Sequence, residues 1–262
     1  MAYDNNIRAI SRGIQVLKAI NHYGSLTMME IATLCDLPYP TACRIVETLQ
    51  DECLIEREGT RKTYRPTSLV KTLSTGYHGE DELTGVARPH IVKLTRDLRW
   101  PICVSTRVGM HMMVQDSTNS TALHTISACD RGFTIPLLGS SSGKVCLAFG
   151  EDQDREQVLR LLEDTKAAGS QRVVDRLREE FKTIRNSGYG IENRIRHASR
   201  PGERAAISIP ILAENTCKGI LTLAFFSSAM SLDNAVERYL PKLRHTAETI
   251  SRALAVESVQ AA

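Results

Sequence analysis

Along the first part of the 262-residue chain, apolar residues return every three or four positions, the period of a helix with one face turned inward. Ile10, Ile14, Leu17 and Ile20 mark such a helix over residues 7–23, and Gly24-Ser25 ends it. Thr27 and Glu30 have the T-x-x-E spacing of a capping box, in which hydroxyl and carboxylate satisfy each other's backbone N–H groups. A second helix should therefore start at Thr27, with Ile31 and Leu34 inward, and Cys35-Asp36-Leu37-Pro38 should break it. Pro40 suits the first turn of a third helix, where the N–H it lacks would be unpaired anyway. There Ala42, Ile45, Val46 and Leu49 face inward, and Thr41, Arg44 and Thr48 share another face. Two short runs, 54–57 and 63–65, flank Gly59-Thr60 and predict a hairpin. Helix, tight turn, helix and basic-tipped hairpin make a winged helix-turn-helix, whose last helix is sized for the major groove of duplex DNA.

Beyond it, Leu69, Val70 and Leu73 predict a short helix over 67–77, and the polar stretch 78–82 marks a boundary. The expected organisation is a DNA-binding domain over 1–67, a linker over 68–82 and a second domain over 83–262. Val86, Ile91, Leu94 and Leu98 predict a helix over 83–99, stopped by Trp100-Pro101. Runs 102–107 and 110–115 flank Val108-Gly109 as a hairpin, and 205–212 with 217–226 form another. Stretches 123–127 and 133–138 read as extended chain. Helices are expected over 143–149, 155–163, 171–186 and 232–256. Adjacent hairpins with interspersed helices imply an antiparallel sheet covered by helices, an α+β domain.

Charge sharpens this picture. The net charge is only +3, and residues 1–68 carry eight Lys/Arg and eight Asp/Glu. Affinity for DNA must then come from where the charges sit: Arg44, Arg61, Lys62 and Arg65 near one surface, Glu30, Asp51 and Glu52 elsewhere. No apolar run approaches the ~20 residues of a membrane span, and the N-terminus lacks a signal-peptide pattern. Seven cysteines, an odd count without C-x-x-C, argue against a disulfide framework or structural zinc, and for small core residues in a reducing cytoplasm. The histidines have no metal-ligand spacing, so no cofactor or metal is expected.

Candidate DNA contacts are Tyr39, Thr41, Cys43, Arg44 and Thr48 on the third helix and Arg61, Lys62 and Tyr64 on the wing. Arg44 suits a guanine edge or a phosphate. The segment Leu138-Gly139-Ser140-Ser141-Ser142-Gly143-Lys144 admits three readings. A phosphate-binding P-loop is excluded: the spacing is one residue short and Val145 replaces the metal-binding hydroxyl. A serine hydrolase would use Ser141 in G-x-S-x-G with His197 or His245 as base, but no acid partner or oxyanion segment is evident. The third reading is a binding loop, where Ser141, Ser142 and backbone N–H groups at a helix N-terminus receive a carboxylate. Ser105 and Arg107 alternate on one strand, where Arg107 suits a carboxylate, and Phe133, Ile135 and Leu137 form either an apolar wall or plain core.

The stretches RAISRGIQVLKAI, TMMEIATLCDLPYPTACRIVETLQ and GFTIPLLGSSSGKVCLAF resemble the IclR family of bacterial transcription regulators, over nearly the whole chain. Leu98-Arg99-Trp100-Pro101 and Val104-Ser105-Thr106 look like the branch controlling aromatic-acid catabolism, typified by the hydroxyphenylpropionate regulator. The family usually has glycine where Asp36 stands; aspartate tolerates the left-handed conformation expected there. The resemblance implies a GAF-like effector-binding domain and a homodimer or dimer of dimers on double-stranded operator DNA. It also implies a small carboxylic effector held near Ser141 and Ser142, with Glu192, Ala205, Thr222 and Ala224 around it. Methyl groups at Ala205 and Ala224, where relatives carry polar groups, suit an aromatic acid. The expected function is a non-enzymatic regulator of a catabolic operon. The alternatives are the hydrolase and a constitutive DNA-binding protein whose second domain serves only assembly.

Overall fold

The computed structural model describes residues 7–59, 61–76, 81–126, 129–164, 170–193, 204–214 and 216–260. The chain forms two compact units, Met1–Gly79 and Glu80–Ala262.

In the first unit, helices α1 (Arg8–Tyr23), α2 (Met28–Leu34) and α3 (Tyr39–Asp51) accompany a sheet of β1 (Leu26–Thr27), β2 (Ile55–Arg57) and β3 (Thr63–Pro66), in the order β1-β3-β2. The capping box is present: the Glu30 N–H donates to Thr27 Oγ1 at 3.3 Å, and the Thr27 N–H donates to Glu30 Oε2 at 2.8 Å. These bonds, the backbone one first, hold the Glu30 carboxyl below the usual range. Asp36 sits at φ 49° in the tight turn, and the Leu37 N–H reaches back to the Ala32 carbonyl at 2.9 Å. Val16, Ile20, Ile31, Ala42, Val46 and Ile55 close the core. Two expectations shift here. Ile10 and Ile14 are 57% and 50% exposed, because α1 packs through Val16 and Ile20 on a different stripe. Leu34 ends α2 exposed, while Ile31 and the following Cys35 take the core side. Beyond β3, Ser68–Ser74 is a 3-10 helix with Leu69 and Leu73 exposed, a tighter and less buried element than expected.

The second unit is a six-stranded antiparallel sheet in the order β6-β5-β4-β9-β8-β7. Its strands are β4 (Ile102–Val108), β5 (His111–Ser117), β6 (Thr134–Pro136), β7 (Gly190–Asn193), β8 (Arg204–Ala213) and β9 (Thr216–Phe226). Helices α4 (Asp81–Leu98) and α8 (Leu232–Gln260) cover one face over Ile102, Val104, Ile207, Ile209, Leu221 and Leu223. Helices α5 (Ser141–Phe149), α6 (Asp152–Asp164) and α7 (Ser170–Ser187) build a second core around Met112, Leu137, Val145, Phe181 and Ile220 on the other. A smaller cluster of Cys103, Val114, Ile126, Cys129 and Ala224 shares that second face. The sequence did not predict β7; a four-residue strand opening on glycine has no recognisable alternation. Where extended chain was expected from residue 123, residues 121–124 form turns and bends, and Asn119 Oδ1 accepts from the Ile126 N–H at 2.7 Å. Ser127 lies outside the described residues.

Thr27→Ala should remove one N-terminal cap of α2 and cost the first unit about 1 kcal/mol. Urea unfolding followed by far-UV circular dichroism checks this; an unchanged transition contradicts it.

Candidate functional site

On α3, Pro38 and Pro40 set the first turn, and the Thr41 N–H donates to the Pro38 carbonyl at 2.9 Å. With Ala42, Val46 and Leu49 buried, the opposite side presents Tyr39, Arg44 and Thr48 to solvent and leaves Thr41 and Cys43 half-buried. Thr48 Oγ1 donates to the Arg44 carbonyl at 2.9 Å. Thr41, Arg44 and Thr48 line one groove between α3 and α1, with Ile10, Arg12 and Gly13 opposite. Arg12 was not foreseen as part of this surface, because its helix was read only for its apolar stripe.

On the wing, Arg61 and Lys62 are exposed beside the turn, with Lys62 at φ 38°; Thr60 lies outside the described residues. Arg65 leaves the basic set: Glu56 holds it at 2.7 Å and Glu58 stands at 3.7 Å. Hydrogen bonds from Thr63 and Ser25 keep the Glu58 carboxyl below its usual range, with Arg65 and Arg61 adding to the effect. Tyr64 is half-buried against the core of the unit, so its ring serves packing first.

In the second unit, Ser140 caps α5, its Oγ accepting from the Gly143 N–H at 3.1 Å. Ser141 Oγ meets Ser208 Oγ at 2.8 Å, and Ser208 Oγ meets Thr222 Oγ1 at 3.0 Å. A chain of buried hydroxyls thus runs from the first turn of α5 across β8 to β9. Strand register places Cys103, Thr222, Ser208 and Gly190 in one row, with Ala224, Ala206 and Glu192 in the next. Ser105 lies one row away opposite Ile220, and its buried Oγ has no hydrogen-bond partner among the described residues. The Ser141 N–H donates to Glu192 Oε2 at 3.0 Å, so a carboxylate of the chain itself occupies the N-terminus of α5. Burial raises the Glu192 pKa above its ordinary value; the Ser141 N–H and Lys144 counter this, and Glu180 adds to it.

Several expected residues lie elsewhere. Ala205 belongs with Ile207 and Ile209 under α8, so Ala206 supplies the methyl on the Ser141 side. Arg107 is ion-paired with Asp154 and donates to the Gly109 carbonyl at 2.8 Å, which commits it away from the hydroxyl chain. Leu137 is buried in the core beneath α5 and α7. Ile135 pairs with Met112 on the sheet edge, and Phe133 packs on the Cys103–Val114 cluster beside Ala224. Ser142 is buried, its Oγ donating to Ser140 Oγ at 3.3 Å. The hydrolase reading finds no support: Ser141 meets a serine, and His245 stands on α8, across the sheet. His197 lies outside the described residues. Lys144 is held by Glu180 at 2.7 Å, and Gly143 is needed for close packing against Leu137, which accounts for the P-loop-like spelling. No group of three His, Cys, Asp or Glu among the described residues could hold a metal, and no described helix is long and apolar enough to cross a membrane.

A winged helix-turn-helix followed along the chain by this α+β unit is the domain organisation of a helix-turn-helix transcriptional regulator. Residues 9–59 match the IclR helix-turn-helix domain and residues 75–252 match the C-terminal domain of bacterial transcriptional regulator IclR. The chain belongs to the IclR family of bacterial transcriptional regulators. It is 24% identical over 155 residues to the HTH-type transcriptional regulator TtgV of Pseudomonas putida, a match spanning 58% of each chain and so under two thirds of that relative. It is 28% identical over 226 residues to an HTH-type transcriptional regulator of Mycobacterium tuberculosis, covering 79% of this chain and 83% of that one. Its fold is similar to that of the Thermotoga maritima IclR, with TM-score 0.61 at 20% identity, covering 95% of this chain and all of that one. It is also similar to an IclR homologue of Microbacterium hydrocarbonoxydans complexed with 4-hydroxybenzoate, with TM-score 0.66 at 22% identity, covering 95% and 99%.

A carboxyl whose pKa is higher folded than unfolded binds more protons in the folded state, so stability falls as pH rises from the ordinary value of 4.5 to the raised one. Glu192→Gln keeps an acceptor for the Ser141 N–H and removes this loss. The variant should gain stability relative to wild type across that window and hold the gain at neutral pH. Thermal melts over a pH series check this; parallel curves contradict it.

Proposed function

We propose that the protein is a ligand-responsive regulator binding double-stranded operator DNA as a homodimer or dimer of dimers, with an aromatic carboxylic acid as effector and a catabolic operon as target. The observation that carries the effector assignment is the pairing of buried hydroxyls, Ser141, Ser208 and Thr222, with a methyl floor, Ala206 and Ala224, beside a helix N-terminus. An aromatic ring suits the methyl floor, with Phe133 at its side. Its carboxylate suits the α5 N-terminus in place of Glu192, since unpaired N–H groups and the helix dipole favour negative charge there. Ser105 offers a further hydroxyl to a phenol oxygen. The 4-hydroxybenzoate bound by the Microbacterium homologue has this chemistry. The alternation of acid-bound and acid-free states biases the arrangement of the DNA heads by ~1–3 kcal/mol.

At the other end, Arg44 reads a base edge or phosphate, Thr41 and Thr48 flank it, and Arg61 and Lys62 hold phosphates from the wing. Half-sites one helical turn or a multiple apart follow from two-fold symmetry.

The test is fluorescence anisotropy of duplexes from the promoter neighbourhood, with benzoate, 4-hydroxybenzoate and related acids in the titration. Arg44→Ala should weaken binding by ~1–3 kcal/mol, and at least one acid should shift wild-type affinity about 5- to 150-fold. No retained duplex at low ionic strength overturns the DNA assignment. Operator binding indifferent to every acid leaves the constitutive reading instead.

A further inference from the structure

Helices α4 and α8 cover the face of the sheet turned away from the Ser141–Ser208–Thr222 hydroxyls, and a groove of about 470 Å³ lies between them. α4 lines it with His90, Lys93 and Asp97, and α8 with Lys242 and His245. Each helix thus brings one imidazole and one ammonium group at i, i+3, the spacing that puts two side chains on one side of a helix. We infer that this groove is a second ligand site, built for a small organic phosphate monoester.

The charge balance selects the anion. Lys93 and Lys242 face the single carboxylate of Asp97, and among the described residues none of the three is held in an ion pair. Elsewhere in this unit Lys144, Arg155 and Arg178 are each tied to an acid at 2.6–3.1 Å. Each ammonium group offers three N–H donors and each imidazole at least one. A phosphate monoester brings about two negative charges and three acceptor oxygens at neutral pH. It therefore uses this donor set more fully than a carboxylate, which has a single charge and two oxygens.

The remaining lining selects an ester. Leu94, 4% exposed, and Pro241 give the groove apolar surface. Thr246 and Thr249 also line it, but their hydroxyls donate to the Lys242 and His245 carbonyls at 2.9 and 2.7 Å. With those protons committed to the helix, the lysines and histidines are left as the donors. Carbon surface beside them suits the organic part of an ester, which inorganic phosphate lacks.

The groove also has a telling place in the chain. α4 is the first element of the second unit, directly after the boundary between Gly79 and Glu80. A ligand joining α4 to α8 would hold the helix by which the chain enters this unit. The inference is independent of the aromatic effector, whose candidate site lies on the other face of the sheet.

The experiment labels the histidine rings of the full chain for NMR and titrates it with phenyl phosphate, inorganic phosphate and benzoate at constant ionic strength. Phenyl phosphate should shift the His90 and His245 resonances, identified by their loss in His90→Asn and His245→Asn, and should bind more tightly than inorganic phosphate. By isothermal titration calorimetry, Lys93→Gln with Lys242→Gln should weaken phenyl phosphate binding about tenfold or more. Lys182→Gln, on α7 and outside the groove, should match wild type. The proposal is overturned if phenyl phosphate leaves both resonances unmoved, or if inorganic phosphate or benzoate moves them at an equal or lower concentration. It is equally overturned if Lys182→Gln weakens binding as much as the double variant does. A double variant whose sedimentation shows a smaller assembly than wild type would overturn it too, by making the groove a contact between subunits.

Discussion

A Cβ added at Gly143 would fall 1.9 Å from the Leu137 carbonyl oxygen, far inside any contact real side chains make. The first turn of α5 is pressed against the backbone leading into it, and only glycine allows that approach. The opposing atom is backbone, so nothing nearby can swing aside. This close seat sets the height of α5 above the sheet. It brings Ser141 within 2.8 Å of Ser208, and through Ser208 to Thr222. Gly190 repeats the constraint from the sheet side, where a Cβ would meet Val145 at 2.6 Å and the Ser141 carbonyl at 3.3 Å. The candidate effector site is the space these two approaches define. Its polarity follows from buried hydroxyls that satisfy one another, and its apolar floor from the alanines in the next row.

The DNA-reading unit solves a different problem, because its Lys/Arg and Asp/Glu balance over residues 1–68. Acids are spent on structure: Glu30 closes the capping box, Glu56 takes Arg65, and Glu58 takes Ser25 and Thr63. Arg44, Arg12, Arg61 and Lys62 are among the exposed cations of α3, α1 and the wing. Placement of charge, rather than its sum, is what would give a near-neutral unit a DNA-facing surface.

Local rules carried most of the fold. Thr27-x-x-Glu30, Pro40 and the Asp36 turn are decided within four residues of chain, and α2, α3 and the turn between them stand where those signals put them. The hairpins were legible because apolar runs flank short turn-forming stretches, Val108-Gly109 in one and residues 213–216 in the other. The site was legible only in part. Ala205 was misplaced although Ile207, Ile209 and Ile211 share its phase and mark the core face; the same alternation pointed to Ala206 and Ser208. Arg107 could not be placed, because its partner Asp154 comes from a helix forty-seven residues on. Glu192 as occupant of the α5 N-terminus was likewise invisible, since the contact joins residues fifty-one apart across strand β7, which has no sequence signature.

The seat of α5 on the Leu137 backbone sets the position of Ser141, and the chain contains its own reporter of that seat. Trp100, the single tryptophan, is buried in the second unit and donates to Tyr239 Oη at 3.2 Å. Urea unfolding of Gly143→Ala, followed by Trp100 fluorescence, should show a loss of about 3 kcal/mol from overpacking against an immovable carbonyl. A Trp100 transition that coincides with wild type would contradict the account.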